Sequence, residues 1–183
     1  MATNKKENRK TIDKVFILLG LAATAMLVVI GFIAWWGYSY VTTNVKNELS
    51  AQKIYFPPKG SPGLDPKEFP DLQQYAGQLV DTGPEAKAYA NGFIGRHLEK
   101  VAGGKTYAEV SSAALKDPTN QKLQGQKQSL FQGETLRGIL LGDGYAFWTL
   151  GEVAKAAAVA SFVGAAVMGL LVLMGLGHLS RLK

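Results

Sequence analysis

The chain contains no cysteine, so disulfides, thiolate metal sites and a thiol nucleophile are all excluded. It has two histidines, His97 and His178. That is too few for a typical zinc site, and a Ser-His-Asp site would have to use one of them. No Asn-x-Ser/Thr sequence is present. Prolines are few and clustered: five of the seven lie between Pro57 and Pro70, which marks a loop. Charge is missing where it matters most. Val15–Trp36 reads VFILLGLAATAMLVVIGFIAWW without an ionisable residue, and Ala156–Gly177 is likewise uncharged. A central ionisable group usually marks an ion pathway or proton relay, so a two-span carrier or pump is not expected.

Each uncharged stretch, as a helix rising ~1.5 Å per residue, extends ~33 Å and crosses a bilayer core. The formal charge of +6 would suit a nucleic-acid binder, but its distribution does not. Lys5, Lys6, Arg9, Lys10 and Lys14 against Glu7 and Asp13 give +3 before the first stretch. Arg181 and Lys183 give +2 after the second, and Lys155 gives +1. Val41–Glu152 holds 12 basic and 12 acidic residues and is neutral. A basic surplus confined to the flanks of apolar spans follows the positive-inside pattern and leaves no basic patch for nucleic acid. The expected fold is therefore an all-α membrane protein. It comprises a cytoplasmic basic tail (1–14), a first transmembrane helix (15–38), a helical extracytoplasmic domain (39–152), a second transmembrane helix (153–177) and a short cytoplasmic tail (178–183). The location expected is the plasma membrane, with both termini cytoplasmic.

The tail to Lys14 is polar and reads as mobile. The first apolar run is too long for a usual signal core. Trp35, Trp36, Tyr38 and Tyr40 follow it instead of small cleavage-site residues, so it reads as a retained anchor whose aromatics suit the outer interface. Gly20, Thr24 and Gly31 share one helical face, which suits either close packing or ordinary lipid exposure. Val41–Lys53 has no breaker and extends the helix until Phe56-Pro57-Pro58 stops it. Pro70–Val80 reads as a short helix.

Asp81-Thr82-Gly83-Pro84-Glu85 opens a clearer helix. On it Ala86, Ala90, Phe93, Ile94, Leu98 and Val101 form the apolar face, with His97 placed within that face as a packed residue. Gly103-Gly104 stops it, and Thr106 with Glu109 forms a capping box for a helix over Tyr107–Leu115. The stretch Gly103-Gly104-Lys105-Thr106 resembles the end of a phosphate-binding loop. The glycine required five residues before Gly104 is Glu99, so helix stop plus N-cap is the better reading. Asn120–Leu141 is helical in composition, and Gly142-Asp143-Gly144 reads as a break or kink.

Tyr145, Phe147 and Trp148 match the aromatic belt of the first span, and Glu152 and Lys155 mark the edge of the second. The interface anchors are thus Trp35, Trp36, Tyr38, Tyr145, Trp148 and Lys155. In the second span Ala157, Ser161 and Ala165 recur every four residues, as do Ala156, Ala160 and Gly164. Such spacing admits a neighbouring helix, either the first span or another protein.

The segments Phe56-Pro57-Pro58, TGPEAKAYANGFIGRHL from Thr82, TYAEVS from Thr106 and LFQGETLRGILLGDGYAFWTLG from Leu130 resemble those of small two-span membrane proteins of actinobacteria and their relatives. The resemblance covers most of the chain after the first span and implies no catalytic residue. Members are often labelled aromatic ring-opening dioxygenases. Such iron sites need several histidine and carboxylate ligands, which two histidines far apart in sequence do not supply.

No catalytic, cofactor or metal site is expected, and the chain does not read as an enzyme. Two functions remain. One is an accessory or assembly subunit of a larger envelope complex, a respiratory one among the candidates, with other membrane proteins as partners. The other is a stand-alone extracytoplasmic module that binds or senses a ligand or lipid. The topology is testable with single introduced cysteines in whole cells. An impermeant thiol reagent should label Ser112→Cys and leave Lys5→Cys and Lys183→Cys unlabelled. The reverse pattern refutes the orientation.

Overall fold

The computed structural model describes residues 2–181, with side chains from residue 7. Lys183, and the side chains of Lys5 and Lys6, all counted in the flanking charge, lie outside the described residues. All regular structure among these residues is helical; a single antiparallel bridge joins Tyr55 and Leu79. The elements are α1 (Ala2–Gln52), α2 (Gly83–Lys87), α3 (Arg96–Ala102), α4 (Tyr107–Lys116), α5 (Gln121–Ile139) and α6 (Phe147–Arg181). A first π-helical segment, Ala88–Gly95, joins α2 to α3, and a second, Leu140–Ala146, joins α5 to α6. Two helices are long and apolar enough to cross a membrane, Glu7–Gln52 and Gln121–Arg181. The chain divides into two compact units, one of residues 1–40 and 151–183, the other Val41–Leu150.

In the first unit α1 and α6 run antiparallel. A Cβ on Gly20 would lie 2.6 Å from Val172 Cγ2, one on Gly31 2.7 Å from Phe162, one on Gly164 3.4 Å from Leu27, and one on Gly175 3.1 Å from Ile17. The covered residues of α1 step by threes and fours: Ile17, Gly20, Thr24, Leu27, Gly31, Ala34 and Tyr38. Those of α6 do the same: Gly151, Ala154, Ala158, Ser161, Ala165, Met168, Val172 and Gly175. That alternation is the 3.5-residue repeat of a left-handed coiled-coil seam. Small residues prevail in it, and they let the two backbones approach closely. Thr24 sits in the seam and donates its hydroxyl to Gly20 O (2.8 Å), so no polar group is stranded. The other faces of both helices expose Phe16, Leu18, Met26, Phe32, Leu170 and Leu173, among others.

In the second unit, Val45 and Leu49 of α1 join a core with Phe56, Leu64, Phe69, Leu72, Val80 and Leu140. Phe56 is 1% exposed, stacked on Tyr75 and edge-on to Tyr89. The α2–α3 run lies antiparallel to the α5 run. Gly133 faces Leu98, Gly144 faces Ala86 (3.0 Å from an added Cβ), and Gly83 faces Trp148. The buried residues of α2–α3 are Ala86, Ala90, Ile94, Leu98 and Ala102, each four residues on from the last. An α-helix turns ~100° per residue, so each four-residue step would carry the ladder ~40° further round. The π segment, closed by i→i+5 bonds, turns less per residue and holds the ladder on one face.

Several expectations are corrected here. The polar start is not a mobile tail: from Ala2 it belongs to α1, because its lysine, glutamate and arginine residues are good helix formers and no breaker separates them from the apolar run. The extension over Val41–Lys53 holds to within one residue: the helix ends at Gln52, with Lys53 in the left-handed region at φ 53° ahead of Phe56-Pro57-Pro58. Pro70–Val80 gives only a 3₁₀ turn, Pro70–Tyr75, before Gly77 reverses the chain at φ 75°. The π segment leaves Phe93 and Val101 half-buried and substitutes Ala102 as the last buried position. His97 is exposed, because it follows Arg96 on the solvent side of that ladder. Gly142–Gly144 does not break the helix: the second π segment carries it through, and Gly144 admits Ala86 at close range.

The caps form as expected. Glu109 accepts from Thr106 N (2.7 Å), and Glu85 accepts from Thr82 N (2.9 Å). Gly103 and Gly104, at φ 61° and 77°, end α3, which accounts for the glycine pair that resembled a phosphate loop.

Truncating a buried phenylalanine typically costs ~3–5 kcal/mol. Phe56→Ala should therefore lower the unfolding free energy of the detergent-solubilised protein by about that much, and half-buried Phe93→Ala by less. Equal losses in denaturant titrations would contradict the assignment of Phe56 to the core.

Candidate interaction surfaces

Two shallow depressions on the second unit meet at Asn91 and Arg96, both contributed by the first π segment and the start of α3. One, of about 580 Å³, is edged by Asp71, Tyr75, Pro84, Lys87 and Tyr145. The other, of about 400 Å³, is edged by Glu99, Lys105, Thr106, Glu134 and Arg137.

Arg96, Arg137 and Lys87 along this groove are engaged. Arg96 donates in a fork to Asp71 (2.8 and 2.7 Å) and to Glu68 O (3.2 Å). Arg137 donates to both Glu134 oxygens (2.9 Å each) and to Asn91 Oδ1 (3.1 Å). Its guanidinium lies 3.6 Å from where a Cβ on Gly95 would be, an ordinary packing distance. Its Nε is buried without a partner. Lys87 donates to the Tyr145 hydroxyl (3.1 Å) and lies over that ring. Hydrogen bonds from Arg96 hold the Asp71 carboxyl below its usual range, and the Lys87 hydrogen bond lowers the Tyr145 phenol. Burial raises the Tyr89 phenol. The groove offers fixed donors and acceptors to a polar partner. The hydroxyl of Thr106 is tied into the cap with Glu109, and His97 lies outside the groove.

The anchor residues fall in both units. Trp35 packs edge-on to Tyr38, and Trp36 stacks on Tyr40; Trp35, Trp36 and Tyr40 are well exposed. Lys155 pairs with Glu152 (3.4 Å) and sits 5.1 Å from the Tyr38 ring centre. Tyr145 and Trp148 belong to the second unit, where Tyr145 meets Lys87 and Trp148 packs against the core beside Gly83. Of the small residues of α6, Ala165 is buried in the seam, Ser161 and Gly164 are half-covered by it, and Ala156, Ala157 and Ala160 are exposed. The Arg137–Asn91–Gly95 cluster was not legible in the sequence, since no periodic pattern links residues 46 positions apart.

Asp71 is titrated upward in proton affinity only on unfolding, so the Asp71–Arg96 pair adds stability that is fully present above the ordinary carboxylate value of ~3.9 and vanishes as pH falls through the lower folded value. The stability gap between wild type and Asp71→Asn should stay constant from pH ~5 upward and close below pH ~4. Because both side chains are more than a third exposed, the gap should be small, ~0.2–1 kcal/mol in urea titrations. A gap that widens on acidification would contradict it. No known protein family matches the chain, and neither a curated protein nor a solved structure is similar to it, so the likeness in layout described above rests on the quoted segments alone.

Proposed function

We propose that this protein is a membrane-anchored, non-catalytic interaction protein, an accessory or assembly subunit of a larger envelope complex. In this reading α1 and α6 cross the plasma membrane, both ends lie in the cytoplasm and residues 39–152 lie outside. The observation that carries the reading is the small-residue face of α6 beside the seam. Ala156, Ala157 and Ala160 stay exposed although α1 is already paired, and a face without bulk admits a further helix backbone. The neutral outer segment, with its fixed and shallow polar groove, suits a protein surface better than an enclosed ligand. The second reading, a stand-alone ligand-binding module, draws on the same groove at Asn91 and Arg96.

The double variant Ala156→Leu/Ala160→Leu separates the two. Both positions are exposed, whereas Gly164 touches Leu27 and its replacement would also disturb the α1–α6 seam. The variant should reach the membrane and lose its partners on purification in mild detergent. Partners retained at wild-type stoichiometry would remove α6 as the docking face. A wild-type protein that purifies alone with a small molecule bound would favour the second reading.

A further inference from the structure

The α1–α6 pair carries a groove of about 380 Å³ at the end where Asp13 and His178 lie. That size falls within the ~300–1,000 Å³ range of small-molecule sites. Its walls are apolar: Ile17 and Gly20 on α1, Val172 and Gly175 on α6. The two glycines bring Val172 and Ile17 into close contact across the pair beside it. Its only ionisable groups, Asp13 and His178, stand together at one end.

One helical turn beyond them, on the same faces, stand Lys10 (three before Asp13) and Arg181 (three after His178), with Lys14 next to Asp13. Antiparallel pairing thus gathers Arg9, Lys10, Lys14 and Arg181, against Glu7 and Asp13, around the mouth of an apolar slot. An apolar slot that opens onto a basic cluster at a membrane edge matches an amphiphile with an anionic head.

We infer that this groove holds one acyl chain of an anionic phospholipid, whose phosphate is placed among Lys10, Lys14 and Arg181. The inference rests on α1 and α6 being membrane spans, and is separate from the docking face on α6. The acyl chain lies along the apolar wall formed by Ile17, Leu171, Val172 and Met174, and the head group offsets the net positive charge at the mouth. Asp13 limits how far the phosphate descends, because a carboxylate at the mouth disfavours a second anion below it.

The test uses the full chain, purified in mild detergent and titrated with phosphatidylglycerol or phosphatidylcholine of identical acyl chains, with bound lipid counted by native mass spectrometry. Phosphatidylglycerol should bind at least fivefold more tightly than phosphatidylcholine. Arg181→Gln should remove about fivefold of that affinity, the contribution of one basic side chain near a lipid surface. Met174→Trp, an exposed groove-wall residue, should abolish stoichiometric binding of both lipids; Leu171→Trp repeats the test from a second position if the first variant does not accumulate.

Equal affinity for the two lipids overturns the inference. So does unchanged phosphatidylglycerol binding in the groove-filling variants, which would mean surface lipid only. Retention of the wild type in membranes after an alkaline wash is measured in parallel. Its release would refute the spans themselves, whereas retention without lipid preference refutes only the lipid site.

Discussion

The core of the Val41–Leu150 unit depends on a change of helical pitch. Ala86, Ala90, Ile94, Leu98 and Ala102 are buried at a constant spacing of four. In an unbroken α-helix that ladder would turn ~160° from first to last, and Ala102 would face away from the core that holds Ala86. The π segment Ala88–Gly95 removes the drift by turning less per residue. It also sets what the groove presents. Arg137 lies against the helix beside Gly95, and Asn91 lies where its side-chain oxygen meets that guanidinium. The pitch that closes the core and the polarity of the surface above it therefore have one cause.

The α1–α6 pair solves a different problem with ordinary pitch. Its seam follows the 3.5-residue repeat, and most seam positions are small. Contact there is close but narrow, so dispersion at short range is what holds it. Bulky residues such as Leu18, Leu170 and Leu173 are exposed away from the seam, while Phe32 meets Phe162 edge-on at its flank. In water such a distribution would leave large apolar patches exposed; in a bilayer those patches are the solvent-facing surface.

This contrast explains what could be read from the sequence. A uniform pitch of ~100° per residue found Ala86, Ala90, Ile94 and Leu98 on the core side of α2–α3 but added half-buried Phe93 and Val101, because the π segment turns less per residue. Spacing by four on α6 chose Ala156, Ala157 and Ala160 along with Ser161, Gly164 and Ala165, yet only the last three approach α1, since the actual seam alternates threes and fours. On α1, Gly20, Thr24 and Gly31 obey that alternation and were recognisable as one face. Caps were legible because they are local: Thr106 and Glu109 meet within one turn. The π segments were not, since Gly142-Asp143-Gly144 has the composition of a break, and only the close approach of Ala86 to Gly144 shows why a continuous helix needs glycine there. His97 was misplaced by the same assumption of uniform pitch. The groove around Asn91 and Arg137 joins residues from distant segments, beyond the reach of any periodic reading.

Antiparallel pairing also makes the two ends of the α1–α6 pair chemically unlike. Lys10, Lys14 and Arg181 come from opposite ends of the sequence and stand at one end of the pair. At the other end, Lys155 is matched by Glu152 and covered by the Tyr38 ring, with Trp35 and Trp36 beside it. One end is therefore an unbalanced cation cluster, and the other an aromatic girdle whose single lysine is neutralised. A membrane with a negative inner surface distinguishes these two ends electrostatically, with each basic residue near that surface contributing ~1 kcal/mol. The aromatic end carries no comparable preference for charge. The chemical difference between the two ends thus lies in the residues flanking the apolar stretches, and the seam between them remains uncharged.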